Sequence, residues 1–96
     1  MELFGLRLKT LRLQKDLTQI ELAKKLDITR SSVSYYEKNA VYPSIEMLIK
    51  ICQYFNVSAD YLLGLSDIKE FQISHLNDEQ VEIILNVIRQ FEQIND

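Results

Sequence analysis

The chain has 96 residues, the length of one small domain plus an added element; 47% of them are apolar, with only two glycines and one proline. That balance implies a compact, mostly helical protein with a modest core. A single cysteine excludes an internal disulfide and a cysteine-based metal site, and apolar runs such as Ile83-Ile84-Leu85 are far too short to span a membrane. Arg7, Lys9 and Arg12 interrupt the early leucines, unlike a signal peptide, so a cytoplasmic location is expected. Cys52 lies among Leu48, Ile51 and Phe55 and reads as a small buried hydrophobe. His75 has no partner at ligand or dyad spacing and reads as a surface residue. No glycine-rich phosphate loop or nucleophile motif is present, so neither catalysis, a cofactor nor a bound metal is expected.

The net charge of −3 divides unevenly. Residues 1–50 hold nine basic and six acidic residues, whereas residues 51–96 hold two basic and eight acidic ones. The first half therefore suits a polyanion, and the second half faces something else.

In chain order, Phe4, Leu8 and Leu11 recur at helical spacing and predict a helix from about Leu3 to Lys15, broken at Asp16-Leu17. Thr18 with Glu21 has capping-box spacing and opens a short helix whose inner face is Leu22, Ala23 and Leu26. Asp27-Ile28 leaves room only for a tight turn before Thr29 caps a third helix, Arg30 to about Lys38, with Val33 and Tyr36 inward. Asn39 to Pro43 is a loop. Ser44 caps a fourth helix ending at Phe55, with Leu48, Ile51, Cys52 and Phe55 on one face. Asn56 ends it, Ser58 caps a fifth through Leu63, and Gly64 closes that one. Residues 66–76 lack a period; Asn77, with Gln80 as capping partner, then opens a last helix, about Asp78 to Ile94. The expected fold is all-α.

Two short helices joined by so tight a turn must cross steeply, packing through Leu22, Ala23, Leu26, Ile28 and Val33. The small Ala23 permits the close approach. The third helix then exposes Arg30, Ser31, Ser34 and Tyr35 with nothing apolar to bury, and an α-helix of that kind fits the B-DNA major groove. Without its surroundings, the same polar face would read equally as solvated surface. Lys9, Lys24 and Lys25 serve either solubility or phosphate contact.

This stretch resembles the Cro/C1-type, or XRE-like, helix-turn-helix family over residues 6–66. The likeness rests on Arg7-Leu8-Lys9, Leu11-Arg12, Leu17-Thr18-Gln19, Glu21-Leu22-Ala23, Val33-Ser34, Glu37, Pro43-Ser44 and Asp60-Tyr61-Leu62-Leu63-Gly64. It implies a five-helix lambda-repressor-like DNA-binding domain at 1–66, a linker at 67–76 and a C-terminal amphipathic helix at 77–96. It further implies a sequence-specific regulator, a repressor on a pseudo-palindromic operator, with double-stranded DNA as partner. By the same resemblance, Gln19 holds a phosphate and braces the recognition helix, and Thr29, Arg30, Ser31, Ser34, Tyr35 and Lys38 line the DNA. Arg30 can pair bidentately with guanine, and Tyr35 can reach a thymine methyl or a phosphate. Arg12 and Glu37 match a structural pair bridging the third helix to the first. Asp27 and Asn39 stand where relatives carry glycine, and both tolerate left-handed backbone. The loop from Asn39 to Tyr42 lacks the basic residues of many relatives, which implies fewer phosphate contacts.

Apolar residues on the last helix, from Val81 to Ile94, span an arc of roughly 200°, wider than one face needs. The expectation is that one half packs on the chain's own DNA-binding domain or linker. The other half, with Ile84, Ile88 and Phe91, packs on a second subunit in a homodimer. An antitoxin, whose tail occupies a protein partner, and an interaction module without a DNA role are the alternatives.

Overall fold

The computed structural model describes residues 2–67 and 76–95, with side chains described for 3–67 and 76–93. Six helices follow one another: α1 (Glu2–Gln14), α2 (Gln19–Leu26), α3 (Arg30–Glu37), α4 (Ile45–Phe55), α5 (Ala59–Leu62) and α6 (Asp78–Asn95). Among the described residues all regular structure is helical, and no helix is long and apolar enough to cross a membrane. The boundaries differ from the sequence reading by a residue or so. Lys38, for example, is the C-cap of α3 rather than its last turn. His75 and most of the expected linker lie outside the described residues.

Local chemistry explains where each element begins and ends. Thr18, Thr29, Ser44 and Ser58 have extended backbone, and each accepts the amide hydrogen three residues on. Asn77 and Gln80 bond reciprocally at the start of α6, the side chain of each accepting the other's backbone N–H. Asp16, Asp27, Asn39 and Asn56 all have φ between 54° and 57°. These are the residue types that reach the left-handed region at least cost without glycine, so α1, α2 and α4 stop sharply and the chain reverses.

The core is one cluster built around α1. Phe4, Leu8 and Leu11 from α1 meet Leu22, Ala23 and Leu26 from α2, Val33 from α3, Ile51 and Phe55 from α4, then Val57 and Leu62. Ile28 and Tyr36 are only partly buried, covering this cluster rather than lying within it. Cys52 is likewise half-buried, and burial pushes its thiol pKa up.

The backbones of α1 and the end of α3 approach closely. A Cβ added at Gly5 would lie 2.4 Å from the Glu37 carbonyl oxygen. The Gly5 N–H donates to Asn39 Oδ1 at 3.0 Å. Asn39 thus does something a glycine at its position could not. It accepts a left-handed turn and hydrogen-bonds the backbone of a neighbouring helix. Phe4 and Tyr36 pack edge to face beside this crossing, ring centroids 6.2 Å apart.

The tail departs from expectation. Ile83, Ile84, Leu85, Val87, Ile88 and Phe91 are 38–62% exposed, so α6 does not bury half of its apolar arc on the chain's own DNA-binding domain. The physical reason is that the core of α1–α5 is already closed: its cluster includes no residue of α6.

Gly5→Ala is expected to destabilise the fold by about 1–3 kcal/mol or more through overpacking, although alanine is the better helix former. Equilibrium urea unfolding measures this; wild-type stability would mean that α1 and α3 can separate without cost.

Candidate nucleic-acid interface

The surface of interest is built by the α2–turn–α3 unit. Thr18 and Glu21 close the capping box at the start of α2, with the Glu21 N–H donating to Thr18 Oγ1 at 3.1 Å and the Thr18 N–H donating to Glu21 Oε1 at 3.0 Å. The hydrogen bond from the Thr18 backbone N–H, helped by the Thr18 side chain, holds the Glu21 carboxyl below its usual pKa. At the other end Asp27 turns left-handed, and the Ile28 N–H returns to the Ala23 carbonyl at 2.9 Å. Only Ile28 then separates Asp27 from Thr29, which caps α3. Lys50 of α4 donates its ammonium to the Leu26 carbonyl, tying the end of α2 to the scaffold.

This geometry turns one face of α3 inward and the other outward. Val33 is fully buried and Tyr36 half-buried. Arg30, Ser31 and Tyr35 are exposed, and Ser34 is half-buried beside them. At about 100° per residue these four fall within an arc of about 140°. They form a single polar ridge on a helix whose opposite side is fastened down. Lys38 is exposed at its end. Thr29 is committed locally: its Oγ1 accepts from the Ser32 N–H at 3.1 Å and lies 3.0 Å from Ser32 Oγ.

Behind the ridge lies an almost dry ion pair. Arg12 Nε donates to Glu37 Oε2 at 2.7 Å and Arg12 Nη2 to Glu37 Oε1 at 3.0 Å, a bidentate pairing whose side chains are 9% and 4% exposed. Arg12 Nη1 also donates to the Leu17 carbonyl at 2.8 Å. Gln19 Nε2 donates to Glu37 Oε1 at 3.1 Å. The hydrogen bond to Glu37 raises the Arg12 pKa against the opposing effect of burial. Arg12, Gln19 and Glu37, from three different helices, therefore meet at one carboxylate. Arg30, Ser31, Ser34 and Tyr35 share the outer ridge. Ile84, Ile88 and Phe91 form an exposed apolar surface of their own on α6.

The structure also redistributes the positive charge. Arg7 is spent internally: its guanidinium donates to the Tyr61 carbonyl, to the Ser66 carbonyl at 2.7 Å and to Asp67 at 3.1 Å, and lies 4.4 Å from the Tyr61 ring centroid. Lys15 sits over the Tyr54 ring. Lys15 and Lys50 are exposed but engaged, which leaves Lys9, Lys24, Lys25, Arg30 and Lys38 as the other exposed cations near α2 and α3 among the described residues. The loop after α3 offers exposed Val41 and Tyr42 instead of cations. Gly5, Asn39, Arg7 and Lys50 are the residues whose roles the sequence reading missed. A glycine inside a predicted helix was the one available signal, since it costs helix propensity without a local reason.

A family model described as helix-turn-helix matches residues 8–62. HTH-type transcriptional regulator ImmR of Bacillus subtilis is 39% identical over 66 residues, covering 69% of this chain and 52% of that protein. Antitoxin PezA of Streptococcus pneumoniae is 31% identical over 88 residues, covering 92% of this chain and 53% of that protein. The chain thus spans about half the length of these curated relatives. Among solved structures, the P22 c2 repressor protein in complex with synthetic operator 9T superposes with a TM-score of 0.60 at 26% identity, covering 65% of this chain and 94% of that one.

Arg12→Met is expected to cost about 3–5 kcal/mol because it strands the buried Glu37 carboxylate. Arg12→Met/Glu37→Leu should recover most of that loss, since no unpaired charge remains. A double-mutant cycle by chemical denaturation measures both; a double variant as unstable as the single would locate the cost in packing instead.

Proposed function

The chain belongs to the helix-turn-helix family of transcriptional regulators, and from that premise we propose that it represses transcription by binding an inverted repeat in double-stranded DNA as a homodimer. The observation that carries this reading is the α3 ridge of Arg30, Ser31, Ser34 and Tyr35, exposed on one side and anchored on the other by the Arg12–Glu37–Gln19 cluster. Placed in the major groove, Arg30 has the fork geometry for guanine O6 and N7, and Tyr35 the reach for a thymine methyl or a phosphate. Ser31 and Ser34 contribute short donors and acceptors between them. Gln19 and Thr29, at the N-termini of α2 and α3, lie where backbone amides favour a phosphate. Lys9, Lys24, Lys25 and Lys38 add charge without base preference.

Dimerisation follows from economy of reading. One eight-residue recognition helix covers only a few base pairs, whereas a two-fold pair reads two half-sites about 34 Å apart. The exposed Ile84, Ile88 and Phe91 of α6 supply the contact between subunits. Residues 1–66 act as the DNA-binding domain and 77–96 as the dimerisation helix. A second reading, an antitoxin that binds DNA and a toxin through α6, draws support from the likeness to antitoxin PezA over 92% of the chain. A toxin reading frame beside the gene would separate it from the first.

Selection of duplexes from a random pool is expected to yield an inverted repeat. The log–log salt dependence of binding should have a slope of about −0.9 for each phosphate neutralised. Arg30→Ala should weaken binding to the selected duplex by about 1–3 kcal/mol and relax one base position per half-site. Lys24→Ala should weaken all duplexes alike. Equal affinity for selected and random duplexes at 150 mM salt, roughly physiological ionic strength, would refute sequence-specific binding.

Truncation after Asp67 removes α6 but none of the buried core, and should leave a folded monomer with most of its operator affinity lost. Analytical ultracentrifugation measures the first and a binding isotherm the second. A truncated dimer would place the interface on α1–α5.

A further inference from the structure

α1 grips the rest of the domain along two edges. Gly5 and Arg12 lie within about 20° of each other around the helix. Both meet α3 at Glu37, one at its carbonyl and the other at its carboxylate. Arg7 stands about 140–160° away from them, on the edge that meets α5. Its guanidinium, in a side chain only 14% exposed, donates to the Tyr61 and Ser66 carbonyls and to Asp67, and lies over the Tyr61 ring. The strand of chain it holds is wound back on α5. The N–H groups of Gly64, Leu65 and Ser66 all return to the carbonyls of Tyr61 and Asp60, at 2.8–3.3 Å. Gly64, at φ 79°, lies against Leu3 of α1.

From this arrangement we infer that Arg7 is a positioning residue for operator recognition. It fixes where the chain leaves the DNA-binding domain relative to the α3 ridge, and so sets the half-site spacing that a dimer accepts. The inference rests on the reading of the protein as a homodimer on an inverted repeat. The ion pair with Asp67 is not what carries it, because Asp67 is 99% exposed and such pairs contribute little. The carbonyls do. A planar fork holds Tyr61, within α5, and Ser66, beyond it, at one guanidinium, which keeps residues 64–66 from peeling away. One base pair added between half-sites moves a half-site by about 3.4 Å and turns it by about 35°. With both exits fixed, that change must be absorbed between Asp67 and α6. Released, residues 64–66 can extend each arm by up to about 10 Å.

The test is binding of the 96-residue chain to duplexes carrying the selected inverted repeat, unchanged or with one base pair inserted at its centre. Wild type is expected to lose about tenfold or more on insertion, and Arg7→Met only about threefold or less. Arg7→Lys keeps the stem and the charge without the fork, and should lie between. Both variants should bind an isolated half-site as wild type does, whereas a role in stability alone would weaken half-site and both repeats in one proportion. Three glycines inserted after the exposed Asp67 lengthen the arm without touching α1–α5, and should broaden the spacing as Arg7→Met does. The proposal is overturned by a wild type that tolerates the added base pair, by Arg7 variants that keep the wild-type spacing preference, or by a glycine insertion without effect. If Arg7→Met does not fold, Arg7→Lys and the insertion decide. A wild type with no preference for any inverted repeat overturns the homodimeric reading as well.

Discussion

The Glu37 carboxylate accepts hydrogen bonds from Arg12 of α1 and Gln19 of α2 while standing at the last turn of α3. Water is nearly excluded from the pair, so no solvent is at hand to replace a lost partner. Such a buried pair is weak evidence for high stability, because desolvating both charges offsets most of their attraction. Its effect is geometric. A bidentate fork has one good orientation, so the azimuth of α3 about its axis is set from its C-terminal end while Val33 fixes it from below. The exposed ridge of Arg30, Ser31, Ser34 and Tyr35 inherits that orientation.

The crossing at Gly5 serves the same end. Bringing the α1 backbone against the Glu37 carbonyl places Arg12, two turns further along α1, within reach of the Glu37 side chain. Asn39 closes the arrangement: its left-handed backbone turns the chain after α3 while its side chain accepts the Gly5 N–H of α1. Three local devices, a glycine contact, a left-handed asparagine and a buried ion pair, therefore converge on the end of one eight-residue helix. A helix that short is not stable in isolation, and its rigidity comes from these tertiary contacts.

α6 follows a different logic. Its cap is local, formed by Asn77 and Gln80, and its apolar side chains find no cover in the core of α1–α5. A helix with so broad an apolar arc in water needs an external partner, and the acidic charge of the second half of the chain keeps that partner from being DNA. In the proposed function, reading and assembly belong to separate elements, joined through residues whose first member, Asp67, is bonded to Arg7 of α1.

Much of this was legible in the chain itself. Thr18, Thr29, Ser44, Ser58 and Asn77 announce their helices because a cap is a contact between residues three apart. The inward faces of α1 to α4 follow from a period of 3.6 residues, and Asp27 and Asn39 show where the backbone can turn left-handed. The ridge on α3 and the family likeness follow from the same short-range pattern. Charge was read less well. Counting the cations of residues 1–50 treats Arg7, Lys15 and Lys50 as available to a polyanion, whereas the fold engages each with a carbonyl, a carboxylate or a ring. Those partners lie 24 to 60 residues away in the chain, where sequence spacing carries no information. The backbone contact at Gly5 and the exposure of both flanks of α6 have the same character. Local sequence determined what each helix is and which side it turns inward, because those are interactions within a turn or two. Only the tertiary structure decided which charges remain free and which apolar faces remain uncovered, because both depend on what the rest of the chain has already occupied.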